Sequence, residues 1–491
     1  MKKYFEIIAV VVLLVFNACD SGSDSIEDVP AIETDYDVMI DVNETKGTVS
    51  PLLMGFNTIY CFEADAMWQN GNGQIPALMK KMNAGILRYP GGAVVNRYHW
   101  NNLNGEGWMD NWDPNYDSAN DQPESEFMDV DEYMANVNAI GAEPMVGVNM
   151  GSGLKYNRVQ DGIDEAVALV QYCLDNGYDV RYWYLDNEAY HDGANYTMTA
   201  TEYAEQINLY APAMRALSPD IEFIVNWTRN ITSGTGSMQT LIEQAGANID
   251  IMEVHWYWQY GQSTFDLWLN SFPMGTKNQW YNGFDYVREI MAFKPLVNSL
   301  GHGHIKLASN EWNLGPSPSE EETPSKFESA LMISEQFSQF IDGGLFMASF
   351  WGVQWPHSTG AAVNRYLVDP TNNYSPNPLV SVFEMFGDAM GGMQVKCSSL
   401  KTGVYDIAVL NEETNELYIY LLNKTQDSAL LSAGVELKGV NVSEVIASSF
   451  VRDEANGDAA KISDVQVLVE NGNRLVLELP KNSLTKVVVN P

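Results

Sequence analysis

The run Val180-Arg181-Tyr182-Trp183-Tyr184-Leu185 ends in Asp186-Asn187-Glu188, and Ile305-Lys306-Leu307-Ala308 leads through Ser309 into Asn310-Glu311. Both are short apolar stretches that finish on the same Asn-Glu dipeptide. Working outward, six further runs of this kind punctuate the chain, at 52–59, 86–89, 143–149, 221–226, 251–257 and 345–351. Helical patterns lie between most of them. Residues 164–174 carry apolar side chains at 166, 167, 169, 170 and 173, and 201–217 stops at Ser218-Pro219. Short strands alternating with longer helices argue for βα units on a parallel sheet. Eight units within residues 50–390 predict an α/β fold, a (β/α)8 TIM barrel, with the two Asn-Glu pairs closing its fourth and seventh strands. After Gly391-Gly392 helical periodicity fades and turn-punctuated strands take over, which predicts a β-sandwich over 391–491, with 36–42 as a candidate extra strand.

The N-terminus reads as an address. Lys2 and Lys3 precede an apolar run that ends at Phe16-Asn17-Ala18-Cys19 and is too short to span a bilayer. This resembles a bacterial lipoprotein signal over 1–19, with Cys19 acylated and 20–35 forming an acidic, flexible tether. The expected location is the cell envelope, held at the membrane by lipid alone, most simply the outer membrane with a periplasmic or surface-facing enzyme. With 64 acidic and 27 basic residues the net charge is −37, which disfavours nucleic acid and anionic lipid as partners. A hydrophobic fraction of 45% excludes a disordered acidic chain. Cys61, Cys173 and Cys397 are scattered, as are the histidines, so neither a disulfide framework nor a metal centre is expected, and no cofactor.

Catalytic groups of such barrels project from the carboxyl ends of strands. Two carboxylates facing each other there at about 5–5.5 Å are what retaining glycoside hydrolysis requires: one attacks the anomeric carbon, the other protonates the leaving oxygen. Trp256, Trp258, Trp312, Trp351 and Trp355 sit at or beyond strand ends, where aromatic rings suit the C–H faces of sugars. The Trp108–Tyr116 loop reads as an inserted cleft wall, and Glu320-Glu321-Glu322 as a solvated charge run.

The strand-four and strand-seven pair resembles clan A of the retaining glycoside hydrolases. Within it, Leu87-Arg88-Tyr89-Pro90-Gly91-Gly92, Gly141-Ala142-Glu143-Pro144 leading to Val148-Asn149, Tyr182-Trp183-Tyr184, His255 with Tyr257, and Asn310-Glu311-Trp312-Asn313 are similar to family 51, the α-L-arabinofuranosidases. The resemblance implies Glu188 as acid/base, Glu311 as nucleophile and Asn187 as partner of the sugar 2-hydroxyl. Arg88 is expected beneath Glu311, and Asn149, His255, Tyr257, Trp312 and Trp351 among the substrate contacts. Two departures bear on the sugar: Ala93 stands where an Asn usually follows Pro-Gly-Gly, and Asp186 where a Gly precedes Asn-Glu. Either Asn96 supplies the missing amide or the substrate lacks that hydroxyl. The Arg-Tyr-Pro-Gly-Gly strand is also similar to family 86 agarases and porphyranases. The leading expectation is a lipid-anchored arabinofuranosidase-like hydrolase of cell-wall polysaccharide. Its alternatives are an endo-acting galactanase on algal polysaccharide and a non-catalytic, surface glycan-binding lipoprotein. Cys19→Ser is expected to move the protein from the membrane to the soluble fraction with activity intact; a variant that still sediments with membranes contradicts the anchor.

Overall fold

Parallel barrel strands are covered by helices on one face and by the barrel interior on the other, so they read as continuous apolar runs. In the computed structural model such runs close an eight-stranded parallel barrel: Gly55–Asn57, Ile86–Tyr89, Glu143–Val148, Tyr182–Leu185, Glu222–Asn226, Ile251–Trp258, Lys306–Leu314 and Met347–Phe350. The structure describes residues 31–491 except 64, 104–106, 122–126, 228–230, 233–235, 279–280, 356–359, 400–401 and 458. The expected signal 1–19 with Cys19, and residues 20–30 of the expected tether, lie outside the described residues. No described helix is long and apolar enough to cross a membrane.

The period-2 alternation of the strands divides the core. Ile86, Met145, Tyr182, Tyr184, Ile224, Ile251, Ala308 and Met347 pack together in one buried cluster. Leu87, Val146, Trp183, Phe223 and Met252 turn the other way, into the larger cluster shared with the helices. The helices begin where capping chemistry allows. Thr199 accepts from the backbone of Glu202 while Glu202 accepts from that of Thr199, so Ala200–Arg215 starts on a reciprocal capping box. Ser325 and Glu328 do the same for Lys326–Gly343. Cys61 and Cys173 are buried free thiols and Cys397 is half-buried.

Residues from Met393 onward join one ten-stranded mixed sheet. Tyr36–Thr48 is inserted within it, antiparallel to Met393–Ser399 and parallel to Leu430–Lys438. Ala460–Asp464 and Val467–Glu470 are almost consecutive in sequence yet occupy opposite edges. The sheet must therefore curl until its edges approach, which makes it a sandwich rather than a flat layer.

Helix Lys326–Gly343 is the seam between barrel and sheet. Phe327 stacks on Phe450 with centroids 5.3 Å apart, and Phe386 of the neighbouring helix stacks on Tyr420 at 4.5 Å. Within this apolar seam lies an ion pair: Lys424 Nζ is 2.8 Å from Glu335 Oε2, with both side chains buried. Glu335 also accepts from the Met274 amide at 2.6 Å, and Lys424 sits 4.3 Å from the Trp268 ring centroid. Burial pushes the Glu335 carboxyl up and the Lys424 ammonium down, so each depends on the other for its charge. Lys424→Met strands a buried carboxylate and is expected to cost about 3–5 kcal/mol in urea unfolding, whereas Lys424→Met with Glu335→Leu should cost clearly less. Equal losses in the two variants would show that the pair does not lock the seam.

Candidate active site

The carboxyl ends of the strands meet around one guanidinium. Arg88, on the second strand, is fully buried. Its Nη1 donates to Glu311 Oε1 at 2.9 Å and to Asn57 Oδ1 at 3.1 Å, and its Nη2 donates to Asn187 Oδ1 at 2.7 Å. Glu253 Oε1 lies 3.7 Å from Nη2, and the guanidinium carbon stands 4.3 Å from the centroid of the Tyr184 ring. Asn57 is itself fixed, its amide donating to the carbonyls of Asn310 and Ser349 at 2.9 and 3.0 Å.

Along the sixth strand, Ile251, Glu253, His255 and Tyr257 share one face. Tyr257 Oη donates to Glu311 Oε2 at 3.1 Å. His255 Nδ1 is 2.9 Å from Glu188 Oε1 and 3.5 Å from Glu311 Oε2, and its Nε2 is 3.9 Å from Glu253. One oxygen of Glu188, one of Glu311 and one ring nitrogen of His255 therefore converge within 4.8 Å. The two Asn-Glu pairs reach this point differently. Glu188 lies beyond its strand on left-handed backbone, φ +44°, whereas Glu311 lies inside its strand, just past a register shift between Ala308 and Glu311. That bulge re-aims the carboxylate into the mouth. Asn187 faces the cleft; Asn310 is buried beneath it.

Gly91 and Gly92 make the site possible. Gly91 has φ +106°, and a Cβ there would sit 2.2 Å from the Thr58 carbonyl. A Cβ on Gly92 would fall 2.7 Å from the Trp351 ring and 3.0 Å from Glu311 Oε1. With both absent, a cleft of about 190 Å³ forms, walled by Ala93, Trp108, Trp351, Trp355 and Tyr257 above the two glutamates.

Several expected contacts lie elsewhere. Trp312 is fully buried, stacked on Phe337 at 5.8 Å on the helix side of its strand, and so is a core residue rather than a sugar platform. Trp256 and Trp258 are likewise buried, and Trp112 packs on His99 and Arg158. Asn149 has its amide committed to Ser152 Oγ at 2.7 Å and to the Tyr98 carbonyl at 3.3 Å, which holds a loop. Asn96 grips the backbone of Asn187 through both amide atoms, at 2.8 and 3.1 Å, and supplies nothing to replace the amide missing at Ala93. Glu253 and Asn57 were not foreseen. The signal for Glu253 is a lone acid on an otherwise buried strand that also carries His255; Asn57 gives none.

Burial alone would push His255 down, but Glu311, Glu188 and Glu253 around it hold its imidazolium at about 10. Burial raises Glu188, and the His255 hydrogen bond and charge outweigh it, so its carboxyl is held below the ordinary range. Burial likewise opposes ionisation of Glu253, and Arg88 overcomes it. The mobile proton therefore rests on His255, against Glu188. The same convergence of two carboxylates and an imidazole has cation-binding spacing.

A family model described as alpha-L-arabinofuranosidase 1 domain matches residues 78–268, a segment that includes Glu188 and ends before Glu311. Alpha-L-arabinofuranosidase C of Emericella nidulans is 31% identical over 163 residues, 30% of this chain and 30% of that protein. The intracellular exo-alpha-(1->5)-L-arabinofuranosidase of Acetivibrio thermocellus is 23% identical over 280 residues, 51% of this chain and 52% of that one. The matches thus span roughly a third to a half of these curated relatives. Among solved structures, the GH51 arabinofuranosidase of Xanthomonas axonopodis pv. citri superposes with a TM-score of 0.69 at 15% identity, covering 93% of this chain and all of that one. The arabinose complex of the Thermotoga maritima alpha-L-arabinofuranosidase gives 0.66 at 18% identity over the same share.

The cleft wall that carries Trp108 is tied down by a second buried cluster. His99 bridges Glu165 at 2.8 Å and Asp110 at 3.1 Å, while Ser152 and Asn195 donate to the other oxygen of Asp110. Burial lowers His99, yet the two carboxylates raise it to about 9. A histidine raised from about 6.5 contributes its full stabilisation below that value and loses it as pH climbs through about 9. Unfolding free energy should therefore fall across this window by on the order of 3 kcal/mol through His99 alone. His255 adds its own decline, so the His99 share is the difference between the parent and His99→Gln; identical pH slopes for the two would refute the clamp.

Proposed function

We propose that this chain, family-51-like in fold within clan A of the glycoside hydrolases, is a retaining glycosidase that removes arabinofuranosyl units from cell-wall polysaccharide. The observation that carries this reading is the approach of Glu188 and Glu311 to within 4.8 Å across the barrel mouth, too close for an intervening nucleophilic water and suited to double displacement.

Glu311 attacks the anomeric carbon. Arg88 and Tyr257 each bind one of its oxygens, so the attacking lone pair is aimed and its negative charge is kept available. Glu188 delivers a proton to the leaving oxygen. That proton is held between Glu188 and His255 at 2.9 Å, and exclusion of water by bound sugar shifts it toward the carboxylate. Once the glycosyl-enzyme forms, Glu311 is esterified and its charge is gone. Glu188 then feels one carboxylate fewer, its affinity for a proton drops, and it serves as base for the incoming water. Asn187, oriented by Arg88, presents its amide to the sugar 2-hydroxyl. His255 is thus a positioning residue as well as a proton store. The small cleft walled by Trp108, Trp351 and Trp355 supports recognition of one terminal sugar. Ala93, with Asn96 otherwise engaged, leaves one side of that sugar without an amide partner. Acylation of Cys19 belongs to the same proposal, as the means of keeping the enzyme at the envelope where polysaccharide arrives.

Glu311→Ala should lower turnover of every substrate by on the order of 10³ or more. Glu188→Ala should impair natural substrates severely yet spare aryl glycosides, whose leaving groups need little protonation, and azide should restore it with a glycosyl azide as product. Dialysis against EDTA should leave the rate unchanged. NMR of the first-formed product must show retained configuration, and arabinan digests must release free arabinose early; an inverted anomer would refute the mechanism, and galactan oligosaccharides in place of arabinose would refute the substrate.

A further inference from the structure

The chain turns sharply just after Glu188. The Glu188 carbonyl accepts from the His191 amide at 2.7 Å, which closes a turn with Ala189 and Tyr190 at its centre. The Ala189 carbonyl accepts from the Met198 amide at 2.6 Å, so the loop that follows is pinned as well. Ala189 is buried, and Tyr190 is half-buried beside the acidic side chain two residues before it.

The Tyr190 ring is held from below. It meets Trp227 edge to face, with centroids 5.3 Å apart. Trp227 directly follows the fifth strand, is buried, and stacks on Tyr203 at 6.0 Å. Its amide donates to the Glu253 carbonyl on the sixth strand at 3.1 Å. Tyr203 in turn donates its hydroxyl to the Leu185 carbonyl, at the end of the strand that leads into Glu188. Ring and carboxylate thus hang from one frame built on three neighbouring strands.

Within that frame the Tyr190 hydroxyl donates to Glu188 Oε1 at 3.5 Å. The same oxygen meets His255 Nδ1 at 2.9 Å. Two donors from different elements therefore converge on Oε1, and among the described residues no hydrogen bond reaches Oε2. The Glu188 side chain is 30% exposed and lines the cleft, so a substrate atom can meet it there. A distance of 3.5 Å is the outer limit of a hydrogen bond, and catalytic hydrogen bonds of this kind shorten when substrate closes the site.

We propose that Tyr190 is a positioning residue: together with His255 it grips Oε1 of Glu188, sets the plane of the carboxyl and leaves Oε2 to the cleft. The proposal rests on Glu188 being the acid/base of the glycosidase reading. The carboxyl gives its proton to the leaving oxygen as the glycosidic C–O bond breaks. In the second step its free oxygen takes a proton from water as the new C–O bond forms. Both transfers need the plane fixed, and neither needs Tyr190 to touch the sugar.

The test uses aryl α-L-arabinofuranosides of graded leaving-group acidity. Tyr190→Phe keeps the ring on Trp227 and removes only the hydroxyl. It is expected to lower kcat/KM for the phenyl glycoside about three- to tenfold. For the 2,4-dinitrophenyl glycoside, which leaves without a proton, kcat/KM should change by less than about twofold. There kcat should still fall, with KM falling alongside, because hydrolysis of the glycosyl-enzyme needs the base. Any loss of folded protein scales all substrates equally, so the leaving-group comparison decides even if the melting temperature drops. In a Glu188→Ala background, adding Tyr190→Phe should leave the azide-restored rate unchanged, since a residue acting through Glu188 has nothing left to position. Equal losses across the leaving groups, no loss at all, or an undiminished loss in the Glu188→Ala background would overturn the role of Tyr190 while leaving the glycosidase standing. A parent that cuts no aryl arabinofuranoside overturns the reading beneath it, and the proposal with it.

Discussion

A single buried cation at the centre of the barrel mouth constrains everything around it. Arg88 has no contact with solvent, and an unpaired guanidinium in that position would cost many kcal/mol. Its charge is tolerable only because Asn57, Asn187, Glu253 and Glu311 arrive from the first, fourth, sixth and seventh strands, with the Tyr184 ring above it. Each partner must come from a strand in correct register. A slip of one residue would turn Arg88 into the helix layer and leave Glu311 without a donor. The polar groups that meet at the barrel mouth are thus the groups that satisfy the buried charge, and barrel closure and site geometry are one requirement.

This explains why so much was legible in the sequence and where legibility stopped. All eight barrel strands could be read because burial on both faces leaves uninterrupted apolar runs. The first, expected at 52–59, is shorter, because its apolar residues begin in the 3-10 turn at Pro51–Leu53 and run on to the extended Ile59, while only Gly55–Asn57 pairs. Composition cannot distinguish a strand from a buried turn when both are apolar. The two Asn-Glu dipeptides located the mouth, yet their likeness was partly accidental. One Asn faces the cleft and the other is buried at a bulge, and no one-dimensional pattern announces a bulge. Trp312 follows Glu311 directly, so strand alternation alone sends it to the opposite face. Glu253 was hidden by the reverse effect: its value lies in a pairing across the barrel that sequence separation conceals.

Charge connects the local and the global pictures. The chain carries −37, and the site itself sets three carboxylates, Glu188, Glu253 and Glu311, against Arg88 and a protonated His255. Such a field repels anionic sugars and leaves neutral ones unaffected. The local cations nevertheless reach the three carboxylates at different distances, from 2.9 Å between Arg88 and Glu311 to 3.7 Å between Arg88 and Glu253. Glu188 and Glu311 are the same residue type and differ through geometry: His255 approaches Glu188 at 2.9 Å and Arg88 approaches Glu311 at 2.9 Å.

Asp186 shows how the position of Glu188 depends on neighbouring units. It holds left-handed backbone, φ +64°, immediately before Asn187, a conformation that Gly would adopt without strain. The aspartate offsets that strain by accepting backbone N–H groups from Asn187, Met150 and Gly151, although burial pushes its carboxyl up to about 7. Both protonation states can still accept from an amide, so the loop does not depend on its ionisation. The consequence is a tie between the turn that carries Glu188 and the start of Gly151–Lys155, the short helix whose Ser152 also belongs to the His99 and Asp110 clamp. Through that chain of contacts the turn that carries Glu188 and the loop that carries Asp110 share one frame. A glycine at 186 would free the backbone but sever this link, so the substitution found here trades local strain for a shared frame beneath the cleft.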